Sequence, residues 1–237
     1  LYNIEVSKNA GTTLQLIANN LTVVNNLTMT SGTLNLNTQN MILNSSPSLT
    51  GGVIEFNGRI INAGTNPITF NGTNANQTTS GGTLNCGNFT LSSGTIATNG
   101  GATPFNNNCA DFDISGGTYY ARGSTITASG NVSITGGIFD CGTSLIEMNG
   151  NTPQKSIDCN TQNLYDFTIS LGGDIIQSST NLNILRNFTN NGSFSHNNNT
   201  VIFTGTTFAS LRSGGSDFYN ISVSKTGTTL QVTGNDL

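Results

Sequence analysis

The chain closes on nearly the same residues with which it opens. Residues 1–16 read LYNIEVSKNAGTTLQL, and residues 218–232 read FYNISVSKTGTTLQV. Related phrases, CADFDIS and LYDFTIS, begin at Cys109 and Leu164. Together with the closing phrase at Phe218, they are almost evenly spaced along the chain. Repetition at a fixed period is typical of repeat architectures, in which each unit buries its apolar face against the next. We therefore predict that residues 1–237 form a single segment built of imperfect repeats of about 54 residues.

Apolar and small polar residues alternate in short stretches along the chain. The apolar residues come in pairs at i and i+2, which face the same side of a β-strand, as in Leu27/Met29. Gly and Asn separate these pairs, because both accept positive φ angles at low cost and so form corners. Such corners are predicted at Asn57-Gly58, Gly116-Gly117 and Gly136-Gly137. Since no stretch has the 3.6-residue period of a helix, the pattern predicts an all-β fold with essentially no α-helix.

The repetition favours a parallel β-solenoid (β-helix) over tandem antiparallel β-sandwich modules, an alternative that short strands and frequent turns also allow. In a solenoid, repeated phrases stack like on like, and Asn and Thr side chains form favourable ladders. Charged residues make up only 8% of the chain, which suits strands in which a repeated charge would face itself one coil away. With roughly 18 to 27 residues per coil, we expect roughly 9 to 13 coils.

The charge balance excludes several classes of partner. The chain has 7 Lys+Arg against 11 Asp+Glu, a net charge of -4 and a pI near 4.6. No basic stripe is available to neutralise a phosphate backbone, so we expect no nucleic-acid partner. No run of 18 apolar residues occurs, and we expect no membrane insertion. The 34% hydrophobic content with so small a net charge argues against disorder.

The four cysteines, Cys86, Cys109, Cys141 and Cys159, are candidates for two disulfides. The first two and the last two are each separated by close to one predicted coil, whereas the middle gap is longer. This spacing would place Cys86 beside Cys109, and Cys141 beside Cys159, in adjacent coils at a separation that a disulfide tolerates. Buried free thiols are the alternative. Two bridges would indicate an oxidising, extracellular setting, whereas zinc binding is disfavoured because no CxxC pair is present.

The acidic residues and the single histidine form no recognisable catalytic set. Asp111 and Asp113 are the one close acidic pair, and Asp140 and Asp158 each precede a cysteine. A calcium site at either pair is an alternative that we rank below solvated corner carboxylates. His196 lies in an Asn-rich stretch that reads as a loop. We therefore assign no catalytic, cofactor-binding or metal-ligating residue, expect no cofactor, and predict that the chain is not an enzyme.

The phrases NFTNNGSF, TVIFTG and LTVVNNLTMTSGTLNLN are Asn-, Gly- and Thr-rich. In this texture the chain resembles the repeats of very long secreted prokaryotic surface proteins, the adhesin-like or haemagglutinin-like parallel β-helix stalks. The resemblance covers nearly the whole chain and implies extracellular display, a β-solenoid and a structural or adhesive role. It transfers no catalytic residues. Asn-x-Ser/Thr acceptor sites such as Asn71 and Asn198 would make the chain a possible glycoprotein in a cell that glycosylates.

From these observations we expect a structural, extracellular repeat segment that forms or extends a cell-surface fibre, sheath or adhesin stalk. The likeness of its two ends predicts head-to-tail self-association, since contacts that do not close on themselves build filaments. The alternative is a carbohydrate-binding or carbohydrate-cleaving β-helix that contacts surface glycans, with Tyr119, Tyr120 and Arg122 lining a groove.

Overall fold

The computed structural model describes residues 1–9, 11–51, 53–55, 60–71, 76–79, 82–98 and 105–234. In this part of the chain thirty short strands occur and no helix, which confirms the predicted all-β class. The corner predicted at Asn57-Gly58 lies outside the described residues.

The strands, in chain order, have the following bounds: β1 (Asn3–Ser7), β2 (Thr13–Gln15), β3 (Leu21–Val23), β4 (Asn26–Ser31), β5 (Thr33–Asn35), β6 (Met41–Leu43), β7 (Ser48–Leu49), β8 (Val53–Glu55), β9 (Ile60–Asn62), β10 (Ile68–Phe70), β11 (Asn76–Thr79), β12 (Gly82–Asn85), β13 (Phe89–Leu91), β14 (Thr95–Thr98) and β15 (Phe105–Cys109). The second half continues with β16 (Phe112–Ile114), β17 (Thr118–Tyr120), β18 (Thr125–Ala128), β19 (Val132–Ile134), β20 (Ile138–Asp140), β21 (Leu145–Met148), β22 (Lys155–Asp158), β23 (Asn163–Ile169), β24 (Asp174–Gln177), β25 (Leu182–Asn190), β26 (Ser193–Ser195), β27 (Thr200–Phe203), β28 (Ala209–Arg212), β29 (Asn220–Val223) and β30 (Leu230–Val232).

These strands wind into a parallel β-solenoid of about ten turns. A ten-stranded sheet runs from β1 to β26 and forms the first face, and a thirteen-stranded sheet that includes β3, β21 and β30 forms the second. A three-stranded sheet (β2, β5, β8) and a four-stranded sheet (β11, β14, β17, β20) form the third face. Neighbouring strands are parallel and come from successive coils. The predicted solenoid is confirmed, and the antiparallel sandwich alternative is wrong.

Coil length varies along the solenoid. On the first face Val132 pairs with Ile157, a longer step along the chain than the one from Asp174 to its partner Ser193. The spacing between the repeated phrases is therefore not a whole number of coils. As a result, the phrase that begins at Cys109 contributes β16 to the first face, whereas the phrase that begins at Leu164 lies in β23 on the second.

The interior is filled by the alternating apolar residues that the sequence pattern predicts. Two groups of stacked rings stand out in it. The central aromatic cluster consists of Phe70, Phe89, Phe112, Tyr119 and Phe139. The C-terminal aromatic cluster consists of Phe167, Phe188, Phe194 and Phe218. In the central cluster the rings of Phe89 and Phe112 stack with centroids 5.0 Å apart, a favourable offset geometry for one coil above another.

Glycine is required where corners of successive coils touch. Gly137 has a φ of +65°, and a Cβ on Gly136 would lie 2.2 Å from the carbonyl oxygen of Ser115 in the coil below. Because a real Cβ cannot approach a carbonyl so closely, the corner predicted at Gly136-Gly137 depends on the absence of both side chains.

The third face changes character after β20, where the four-stranded sheet ends. In the next coil β23 spans two positions. Its first half lies where a third-face strand would otherwise follow β22, and its second half pairs with β21 on the second face. The side chain of Gln162 caps the open edge of β20. Its Oε1 accepts the Phe139 N–H (2.6 Å), and its Nε2 donates to the Gly137 carbonyl (3.3 Å). One side-chain amide thus replaces a peptide group of the missing strand.

Candidate functional site

The two ends of the solenoid expose strand edges and apolar side chains. Among the described residues β1, β2 and β3 are the outermost strands of their sheets. The outer edges of β1 and β2 are unpaired, whereas Leu1 covers that of β3: its terminal amine donates to the Thr22 carbonyl at 2.7 Å, and its carbonyl accepts the Val24 N–H at 2.8 Å. Leu1 and Tyr2 are 73% and 67% exposed there, and Val223 is 55% exposed at the opposite end. Exposed edges of this kind pair with whatever strand matches them.

The repeated terminal phrase lies on different faces at the two ends. At the start it forms β1 on the first face and β2 on the third. At the end it forms β29 and β30. These strands belong to the two branches into which the thirteen-stranded sheet divides at β25. The first half of β25 pairs with β27, which pairs with β29. The second half pairs with β28, which pairs with β30. The phrase therefore folds as strand, corner and strand in either position.

Cys86 and Cys109 lie in adjacent coils, as their spacing predicted. Each directly follows an asparagine, and these asparagines, Asn85 and Asn108, pair with each other. Both thiols are free, so the predicted disulfide is not formed in this structure. Burial raises the pKa of Cys86 to about 12 and raises the pKa of Cys109 as well, where the neighbouring Cys86 adds to the effect of burial.

Cys141 and Cys159 follow strands on different faces. Cys141 comes after β20 on the third face, whereas Cys159 comes after β22 on the first. Both are free thiols, and the predicted bridge between them is likewise not formed. The spacing misleads because the coil is long at this point: Val132 pairs with Ile157 on the first face, so Cys159 falls short of one full coil from Cys141. Burial raises the pKa of Cys141 to about 11 and also raises the pKa of Cys159.

The carboxylates that the sequence offered as calcium ligands cap backbone groups. Asp111 Oδ1 accepts the Asn131 N–H at 2.7 Å, and Asp140 Oδ1 accepts the Gly142 N–H at 3.2 Å. Asp158 lies on the first face, away from the third-face position of Asp140, so stacking does not bring those two together. Within the described ranges no group of three or more metal-ligating side chains occurs.

Part of the predicted aromatic groove is internal. Tyr119 is fully buried in the central aromatic cluster, so it cannot contact a ligand on the surface. Its neighbour Tyr120 lies on the outer side of the third face, beneath the guanidinium of Arg122 at 5.6 Å from the ring centroid. Asp140 pairs with Tyr120 in the next strand. It also lines an open groove of about 420 Å³ together with Gln162, Asn163 and Leu185.

A second charged and aromatic group, which sequence reasoning missed, lies one corner further on. The Arg186 guanidinium forms an ion pair with Asp166, donating from Nε to Oδ1 at 2.8 Å. It also lies 4.8 Å from the ring centroid of Tyr165. The hydrogen bond to Asp166 is the main reason that the pKa of Arg186 is raised. The only sequence signal was that Asp166 and Arg186 are separated by about one coil of chain.

His196 is part of a loop, as the sequence indicated. Its Nδ1 accepts the Asn198 N–H at 2.9 Å, and its ring lies 5.7 Å from that of Tyr219. The histidine therefore fixes a turn beside the last coil.

The fold and these surfaces define a class of protein, a parallel β-solenoid with exposed end coils. No protein-family model, curated protein or solved structure matches the chain. In the described residues no helix has the length and apolar character needed to cross a membrane.

Proposed function

We propose that this chain is a structural repeat segment of an extracellular cell-surface fibre, sheath or adhesin stalk, and that it self-associates head to tail. The observation that carries the proposal is the pair of end coils. Both present free strand edges and exposed apolar side chains, and both carry the same phrase. In the proposed assembly a second copy pairs with these strand edges and buries the apolar groups.

The composition supports the same role. Charged residues are scarce, at 8%, and polarity comes from Asn, Thr and Ser, which form neutral ladders that extend without limit along a fibre. The resemblance to Asn-, Gly- and Thr-rich repeats of prokaryotic surface proteins favours display outside the cell.

Sedimentation velocity over a concentration series, followed by negative-stain electron microscopy, tests the proposal. We expect elongated oligomers that lengthen with concentration, and a meridional reflection at about 4.8 Å from aligned fibres. An antibody raised against the chain should label intact source cells. A protein that remains monomeric at the highest attainable concentration would contradict the self-association.

Carbohydrate recognition is a second candidate, favoured by the groove beside Tyr120. Asp140 lines this groove, and the half-buried Tyr120 ring with the Arg122 guanidinium lies one strand away, so an apolar surface and polar groups of both charge signs are available for sugar hydroxyls. The groove volume of about 420 Å³ is sufficient for a small saccharide. A glycan array probed with the intact chain and with Tyr120→Ala tests this candidate. Binding that is lost in the variant supports it, and a blank array removes it.

A further inference from the structure

One interior position of β15 holds a polar residue where the coils on both sides hold apolar ones. Asn107 pairs with Leu84 in the coil before it and with Ile126 in the coil after it. Its side chain is fully buried, and among the residues that the structure describes neither its amide oxygen nor its amide nitrogen has a hydrogen-bond partner. A buried amide without partners lowers stability. A residue that breaks the apolar pattern at such a cost indicates a functional site.

A hydroxyl and two thiols lie around this amide. Burial raises the pKa of Tyr119, and the neighbouring Cys109 adds to the rise. The Asn107 amide is close enough to oppose that rise, and Cys86 contributes a smaller increase. Within the described residues the Tyr119 hydroxyl has no hydrogen-bond partner of normal geometry. The coils of β12, β15 and β17 therefore place four polar groups in one part of the interior, and two of the four are unsatisfied.

The two thiols also line a groove that opens to the surface. Cys86 and Cys109 occupy stacked positions at the corner after the second face, and the same position holds Ala63 and Ala128 in the coils on either side. The groove beside the two cysteines has a volume of about 480 Å³. Each cysteine is 7% exposed, so a small solute reaches the thiols from outside while the amide and the hydroxyl stay buried behind them.

We propose that Cys86 and Cys109 bind one soft, monovalent metal ion of the copper(I) class between their sulfur atoms, a site that goes beyond the proposed structural role. Neighbouring strands are about 4.8 Å apart, and two metal–thiolate bonds of about 2.3 Å in line span about 4.6 Å. Sulfur atoms stacked at the strand spacing therefore suit a two-coordinate ion. Thiolates select soft ions such as Cu(I), whereas Zn²⁺ takes four ligands, and the described residues offer no third Cys, His, Asp or Glu here.

The groups around the sulfur atoms match this chemistry. The Cys109 thiol donates to the Thr127 carbonyl at 3.9 Å. The metal ion replaces this proton and that of Cys86, and both protons leave through the groove to solvent. The copper–dithiolate unit carries one net negative charge. The Tyr119 hydroxyl and the Asn107 amide are the donors available to stabilise that charge, and the sulfur atoms give both of them the acceptor that they lack.

Anaerobic titration of the intact, reduced chain with Cu(I), in competition with the chromogenic chelator bicinchoninate, tests the site. We expect one Cu(I) per chain and a thiolate-to-copper charge-transfer absorption in the ultraviolet. Cys86→Ala and Cys109→Ala should each weaken binding more than about a hundredfold, the upper range for groups that only support a ligand. Alanine already occupies this position in the adjacent coils, so both variants should keep the circular dichroism of the unsubstituted chain.

The double variant Cys141→Ala/Cys159→Ala is the matched control, because its two thiols follow strands on different faces. It should bind Cu(I) as tightly as the unsubstituted chain does. Binding that is lost in this control but kept in Cys86→Ala would overturn the assignment. Failure of the unsubstituted chain to bind, or displacement of Cu(I) by an equal concentration of Zn²⁺, would also overturn it. Each of these results leaves the proposed structural role standing, since that role needs no metal.

Asn107→Leu tests the buried amide separately from the thiols. Leucine matches Leu84 in the same interior column, so the metal-free variant should unfold at a higher urea concentration than the unsubstituted chain. It should still bind one Cu(I) per chain, but about tenfold more weakly, because a donor to the sulfur atoms is gone. An unchanged affinity would overturn the supporting role of Asn107.

Discussion

At the scale of single residues, corner asparagines and aspartates tie each coil to the next. Asn88 Oδ1 accepts the Asp111 N–H, Asp111 Oδ1 accepts the Asn131 N–H, and Asn131 Oδ1 accepts the Ser156 N–H. Each side chain satisfies the backbone donor at the start of the strand above it, where the sheet itself offers no acceptor. Because an Asn amide is neutral, this hydrogen bond can recur in successive coils without repulsion between like charges. Asn is therefore favoured at these corners.

Asn131→Ala should destabilise the protein by about 1 kcal/mol. The substitution removes the acceptor that lies 2.9 Å from the Ser156 N–H and 3.2 Å from the Ser156 hydroxyl. Urea unfolding measures the loss. Asn149→Ala is the control. Asn149 is exposed, and the hydrogen bond from its backbone N–H to the Ala128 carbonyl remains after the substitution. Equal losses from the two variants would contradict the capping role.

The buried thiols predict a loss of stability in alkali. Burial raises the pKa of Cys86 from 9.0 to about 12, so the folded state holds its proton more tightly than the unfolded state does. The stabilisation is complete below about pH 9 and declines as the pH rises toward 12, by at most about 1.4 kcal/mol per pH unit for each thiol. Urea unfolding at a series of alkaline pH values should show a shallower decline for Cys86→Ala. An identical slope would show that this thiol does not contribute.

At the scale of elements, the strand lost from the third face is the main irregularity of the solenoid. An open edge after β20 would leave backbone groups without partners, and the Gln162 side chain supplies both a donor and an acceptor there. The arrangement allows the cross-section to change within one coil while the other two faces continue.

Gln162→Leu should cost about 1 to 3 kcal/mol, because it leaves the Phe139 N–H and the Gly137 carbonyl without their partner. Hydrogen exchange should show faster exchange at the Phe139 amide than in the unsubstituted chain, with distant coils unaffected. Gln39→Leu, at a corner in the second coil, controls for the change of side chain. If the Phe139 amide keeps its protection, the edge is capped by something other than Gln162.

At the scale of the whole molecule, the described residues form one continuous apolar interior along the solenoid, and it contains the two aromatic clusters named above. Each coil contacts its neighbours, so stability is approximately a sum over coils and their interfaces. The central aromatic cluster and the C-terminal aromatic cluster therefore stabilise different stretches of the chain.

Phe112→Ala should destabilise the central coils by about 3 to 5 kcal/mol, because Phe112 is fully buried between Phe89 and Phe139. Hydrogen exchange should locate the loss of protection in residues 82–148 and spare the coils around Phe188. Phe188→Ala is the reciprocal variant and should give the reverse pattern. Uniform loss of protection in both variants would show that the chain unfolds as one unit.

The fold could be predicted because its signal is local and repeated. Inward pairs such as Leu27/Met29 and corners such as Gly136-Gly137 specify strand and turn, and the phrases specify stacking. The spacing of Cys86 and Cys109 predicted adjacent coils correctly because a regular coil separates them. It failed for Cys141 and Cys159, because the coil that contains them is longer, as the pairing of Val132 with Ile157 shows. The extra residues lie between β21 and β22, and no repeated pattern marks their number.

The direction of the main-chain hydrogen bonds has a mechanical consequence. The bonds between coils point along the long axis, so a force that pulls the two ends apart loads the coils in series, and an end coil, covered on one side only, yields first. Extension then proceeds by peeling, one coil at a time. Each released coil lengthens the tether by about 65 to 85 Å at about 3.4 Å per residue. In the proposed stalk, such stepwise release would spread a sudden pull over several coils.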